Sequence, residues 1–153
     1  MIRNYKIASM KSICLLMLTA AFGLFVAVSC GSAKMKSASE TALNGTWELN
    51  FITGEDFAFD ELYPQKKPTL SFDLRNKKVS GNTGCNSFNG PVTIEGNKIS
   101  FKLPMAMTRM MCEGAGETTF LETLASVNTY AITENNTLAL MKDDIAVMRF
   151  SAK

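Results

Sequence analysis

The sequence predicts an α+β domain that is mainly antiparallel β-sheet, with one amphipathic helix over about residues 115–127. Three observations predict it: two-residue apolar/polar alternation in several short segments, two strand pairs joined by short polar turns, and one break to helical spacing.

The alternation begins at Trp47-Glu48-Leu49-Asn50-Phe51, the pattern of a strand with one buried face. Leu70-Ser71-Phe72-Asp73-Leu74 repeats it after Pro68. Val92 to Glu95, Gly96-Asn97 and Ile99 to Leu103 read as a hairpin. Thr137 to Met141, Lys142-Asp143-Asp144 and Ile145 to Phe150 read as a second hairpin that closes the chain. Between the two hairpins, Phe120, Leu121, Leu124 and Val127 share one helical face. Gly114 and Gly116 mark the helix start, and Glu117 would sit favourably in its first turn. A helix packed on or plugging the sheet follows, and closing the sheet would hide its edges.

The N-terminus predicts the compartment. Arg3, Lys6 and Lys11 precede an uncharged apolar run from Ile13 to Val28, which ends in Ala27-Val28-Ser29-Cys30. That order is a secretory signal peptide over residues 1–29, its apolar run short of the about 20 residues of a membrane span. The Ala-Val-Ser-Cys end resembles a bacterial lipobox, which implies cleavage before Cys30 and acylation of its thiol. Multiple acyl chains hold a membrane where one holds only marginally. Residues 30–43, small and polar, then read as a tether, and residues 44–153 as one domain of about 110 residues. Gly31 after the anchor points to the outer membrane, and Lys34 and Lys36 to its periplasmic face.

Within Gly81-Asn82-Thr83-Gly84-Cys85-Asn86-Ser87-Phe88-Asn89-Gly90, the most turn-prone stretch, Cys85 could be a metal ligand, a nucleophile or half of a disulfide. Of four cysteines, Cys14 leaves with the signal peptide and Cys30 carries lipid. Cys85 and Cys112 remain, an even pair in an oxidising compartment, and predict a disulfide worth about 3.5 kcal/mol of loop-closure entropy. The chain has no histidine, which argues against a zinc site and against a base-activated nucleophile. No cofactor is expected.

Lys and Arg total 16 against 14 Asp and Glu. Three of the basic residues belong to the signal peptide, which leaves 13 against 14 from residue 30 onward. No basic track for nucleic acid survives that count.

Four motifs in order, Gly45-Thr46-Trp47-Glu48-Leu49, Gly81 to Gly90, Thr108-Arg109-Met110-Met111-Cys112, and Glu117 with Phe120-Leu121, resemble the META domain family, also called HslJ (DUF306-like). The resemblance covers nearly all of residues 44 to 151 and rests on Trp47, Gly81, Gly84, Cys85, Asn86, Phe88, Gly90, Thr108, Arg109, Met110 and Cys112. Pro91, near the usual aromatic, and Met111, where a small residue is common, depart from it. The resemblance implies a small antiparallel, partly open β-barrel with one helix. It also implies an envelope lipoprotein of the stress-associated kind, with no general biochemical activity.

The expected role is therefore a non-enzymatic, monomeric, lipid-anchored structural or binding module of the envelope. One alternative is a carrier of an apolar ligand in the barrel mouth, with Phe57 and Phe59 as candidate contacts in a loop. Another is Cu(I) binding through the soft ligands of Met105, Met107, Met110, Met111 and Cys112, although a disulfide would remove that thiolate. The plainer reading turns Met105 and Met107 into the core and lets Met110 fill a gap beside the disulfide. Arg109 is expected to anchor Glu113 or Glu117. The carboxylates Asp56, Asp60 and Glu61, and the pair Asp143-Asp144, read as solvated loop charges.

Overall fold

The computed structural model describes residues 40–54, 58–101, 104–133 and 135–153. The signal peptide, Cys30, most of the tether, Asp56 and Phe57 lie outside the described residues. In chain order the elements are β1 (Gly45–Ile52), α1 (Phe59–Leu62), β2 (Thr69–Asp73), β3 (Lys78–Asn82), β4 (Ser87–Glu95), β5 (Lys98–Phe101), β6 (Ala106–Met107), α2 (Gly116–Ser126), β7 (Thr129–Ile132), β8 (Thr137–Lys142) and β9 (Ile145–Ala152).

All pairings are antiparallel, and eight strands close into a ring in the order β1-β2-β3-β4-β5-β7-β8-β9 and back to β1. The thinnest seam is β5–β7, where only Lys98 and Thr129 are in register and backbone bonds from Ile99 to Asn128 and from Tyr130 to Asn97 extend the contact. The partly open barrel is thus a closed ring with one narrow join. Closure pairs the strand edges that an open sheet would expose. β6 lies outside the ring, paired to β4 through Phe88–Met107 and Asn89–Ala106.

Alternation sends one face of each strand inward. Trp47, Leu49, Leu70, Phe72, Leu140 and Phe150 are buried, as the two-residue period predicts. α2 presents Phe120 and Leu124, both fully buried, and Phe120 meets Phe88 with ring centroids 5.9 Å apart. The observed helix agrees with the predicted 115–127 to within a residue at each end.

Three features differ from the sequence reading. Residues 40–43 are helical and Leu43 is fully buried, so the folded region reaches back into the expected tether. Trp47 Nε1 donates to the Leu43 carbonyl at 2.9 Å, and Gly96 N donates to Glu40 Oε1 at 3.1 Å. β3, β6, β7 and α1 were not legible in the pattern, being short or interrupted by small residues. Finally, within the turn-prone Gly81–Gly90 stretch the turn is confined to Thr83–Asn86, with the end of β3 before it and the start of β4 after it.

Steric exclusion explains why Gly81 can sit in a strand. A Cβ there would run into the Thr69 carbonyl oxygen and lie 2.9 Å from the Phe88 ring. The glycine lets the β2 backbone approach closely. Gly81→Ala is expected to lower unfolding free energy by about 2 kcal/mol. Gly54→Ala, whose Cβ meets only Thr119 at 4.0 Å, should change it by less than about 0.5 kcal/mol. Urea denaturation of the two variants checks the contrast.

Candidate functional site

Three of the four motifs, Gly81 to Gly90, Thr108 to Cys112 and the one begun by Glu117, converge at one rim of the barrel. Cys85, in the β3–β4 turn, and Cys112, in the irregular stretch before α2, form the predicted disulfide, with Cα atoms 6.0 Å apart and a sequence separation of 27. Beneath it lies Asn86, 2% exposed. Its Oδ1 accepts from Met110 N and from Thr108 Oγ1, each at 2.8 Å. A backbone N–H can only donate, so this contact fixes which end of the carboxamide is oxygen. The NH₂ end then faces Glu117 Oε2 at 2.9 Å, Cys112 Sγ at 3.0 Å and the Met110 carbonyl oxygen at 3.1 Å. Asn86 therefore bonds both backbone groups of Met110, as a neighbouring strand would, and holds residues 108–112 where β6 pairing has stopped.

Thr83 completes the network. Its hydroxyl donates to Glu117 Oε2 at 2.7 Å and accepts from Asn86 N at 3.0 Å. Glu117, half-buried in the first turn of α2, thus has two donors on one carboxylate oxygen, which offsets its loss of water. Gly84 turns the chain at φ +98°, with its N–H bonded to Asn82 Oδ1 at 2.8 Å.

Tyr63 locks α1 against this rim. Its ring lies where a Cβ on Gly84 would come within 2.9 Å, and one on Gly116 within 3.0 Å. Its hydroxyl donates to the Gly116 carbonyl oxygen at 2.9 Å, and burial pushes its pKa well above the usual tyrosine range. Nothing in the local pattern around Tyr63 signals partners at Gly84 and Gly116, so sequence reasoning missed it. Thr83 was missed too, although it stands inside the quoted motif.

A cleft of about 570 Å³ opens over the disulfide, bounded by Tyr63, Lys66, Gly84, Met110, Met111 and Glu117. Met110 is 60% exposed and Met111 is 99% exposed, so Met110 does not fill a gap beside the disulfide. Its backbone is what the fold uses. Met105 is buried against Gly90 and Met107 is half-buried, so the methionines point into different environments and Cys112 has no free thiol. Arg109 also differs from expectation. It is exposed and bonds neither Glu113 nor Glu117; the donors on Glu117 are Thr83 and Asn86, both at Oε2.

The remaining candidates lie elsewhere. Phe59 is half-buried in α1, its ring 5.3 Å from Tyr63 and 5.6 Å from Lys67 Nζ. Trp47, Phe88 and Gly90 serve the core and β4. Asp60 and Glu61 stand in the first turn of α1, where Glu61 accepts from Ala58 N. Asp143 holds the β8–β9 turn at φ 56° and bonds Asn128.

Asn86→Ala would strand the Met110 N–H and leave Glu117 with Thr83 as its remaining donor, and an unfolding free-energy loss of about 3 kcal/mol is expected by urea denaturation. Tyr63→Phe should lose about 1 kcal/mol near neutral pH. Because the Tyr63 pKa is raised on folding, wild-type stability is full below the unfolded tyrosine value of about 10 and falls as pH rises beyond it. Tyr63→Phe should flatten that alkaline slope in pH-dependent melts.

The fold is similar to two solved structures. One is the NMR structure of a protein from Burkholderia xenovorans, 20% identical, covering 84% of this chain and 94% of that one, with a TM-score of 0.60. The other is the crystal structure of a DUF4847 family protein from Bacteroides vulgatus, 12% identical, covering 74% and 96%, with a TM-score of 0.50. No curated protein matches the sequence. At these identities the likeness speaks for the fold alone. The family model described as META domain matches residues 40–153, from the buried turn at Leu43 to the end of β9, and the chain belongs to the META domain family.

Proposed function

We propose that this META domain protein is a lipid-anchored, non-enzymatic module of the bacterial envelope that makes contacts through the rim cleft. The observation that carries this reading is the pairing of a lipobox-like Ala27-Val28-Ser29-Cys30 with a domain whose rim is closed by a disulfide. Disulfides persist in the compartment to which such a leader delivers a chain. No helix among the described residues is long and apolar enough to cross a membrane, so the proposed attachment rests on acylated Cys30. The outer membrane, periplasmic face, is the proposed location.

A binding role is favoured over catalysis by the kind of groups at the rim. Asn86 and Thr83 spend their hydrogen bonds on backbone and on Glu117, and the sulfurs are bonded to each other. What faces the cleft is Met110, Met111, Lys66 and the disulfide edge, a mixture of soft apolar and charged surface suited to contact. An apolar ligand in the barrel interior is less well supported, since Trp47, Leu49, Phe72 and Phe88 already occupy it.

Expressed with its leader in a Gram-negative host, the wild-type protein should sediment with outer-membrane vesicles and carry acyl chains on Cys30, seen by mass spectrometry of the N-terminal peptide. Cys30→Ala should release it from lipid labelling. A wild-type chain recovered unacylated in the soluble fraction would sink the proposal.

A further inference from the structure

We propose that reduction of the Cys85–Cys112 disulfide uncovers a divalent-metal site, with Cys85 Sγ, Cys112 Sγ and Glu117 Oε2 as its ligands. The inference does not need the lipid anchor, but it does need a dithiol reductant at the rim, since the disulfide persists in the oxidising compartment proposed above. It starts from proximity: ligand atoms of these three residues all lie within 4.8 Å of one another. Cys112 Sγ is 3.7 Å from Glu117 Oε2. A disulfide sulfur has no proton to donate, so that contact is not a hydrogen bond. It is the spacing of two ligands on one ion, since a thiolate at about 2.3 Å and a carboxylate oxygen at about 2.0 Å in tetrahedral array stand about 3.5 Å apart.

The two sulfurs must separate to about 3.8 Å to share a tetrahedral ion. With Cα atoms 6.0 Å apart, side-chain rotation supplies that separation. Asn86 Nδ2 already donates towards both Cys112 Sγ and Glu117 Oε2, the outer-shell support that orients metal ligands. The cleft gives the entry path and room for a water as fourth ligand. Two thiolates and a carboxylate suit a borderline d¹⁰ ion such as Zn²⁺, or Cd²⁺ as its probe.

The chemistry balances in two steps. A dithiol reductant supplies two electrons and two protons, breaks the S–S bond, leaves Cys85 and Cys112 as thiols, and itself becomes a cyclic disulfide. The metal ion then displaces both thiol protons and forms two metal–sulfur bonds. The same loop is closed in either state, by a covalent bond when oxidised and by the ion when reduced.

The test uses the full chain in detergent, carrying Cys14→Ser and Cys30→Ser so that Cys85 and Cys112 are the only thiols. It is reduced with dithiothreitol, desalted without oxygen and titrated with Cd²⁺. The thiolate-to-metal absorption band should saturate at one ion per chain after reduction and be absent from the oxidised protein. Glu117→Gln, whose amide oxygen can still accept from Thr83, should weaken binding by about tenfold or more. A reduced chain with no saturating band, or Glu117→Gln binding as tightly as its parent, overturns the proposal. Circular dichroism runs alongside: if reduction unfolds the chain, Cd²⁺ must restore the β-sheet spectrum, and failure to do so counts against the site.

Discussion

A single buried carboxamide organises the rim of this barrel. Residues 108–112 leave the sheet after β6, where the Met110 N–H and carbonyl no longer have a strand partner, and a buried donor or acceptor left unsatisfied costs about 1–3 kcal/mol. Asn86 answers both groups of Met110. The same amide reaches Glu117 and Cys112, so the turn, the irregular segment and the start of α2 share one node. An aspartate would lack the donors for this arrangement, and a leucine would satisfy none of it.

The disulfide and Tyr63 both brace the elements around that node. The covalent link limits how far the turn and the pre-helix segment separate in the unfolded chain. Tyr63 packs α1 between Gly84 and Gly116, where no side chain could replace the hydrogens without moving backbone or the ring. The glycines of the motif thus do different things. Gly84 supplies a positive φ as well as space, whereas Gly81, Gly90 and Gly116 make space alone.

Polar satisfaction and exposure together shape what the rim offers. Hydrogen-bonding capacity inside the network is used up by backbone and by Glu117, while Met110 and Met111 project outward. The segment is thus held through the Met110 backbone while its methionine side chains stay exposed. The disulfide lines the same opening as these two methionines.

By itself the sequence determined the alternating strands, the helix from its i, i+1, i+4, i+7 face, and the Cys85–Cys112 pair. Each rests on local period or on counting, which need no knowledge of distant neighbours. It also carried the family motifs, three of which supply residues that meet in space. Only the tertiary structure decided why they meet: that Asn86 stands in for a strand, that Thr83 rather than Arg109 holds Glu117, that Tyr63 reaches Gly116, and that Leu43 belongs to the core. Those contacts join residues up to 53 positions apart, and a hydrogen-bond partner chosen by a folded surface leaves no periodic trace in the chain. Short strands such as β6 and β7 were hidden for a related reason, since their pairing comes from neighbours already in place more than from their own residues.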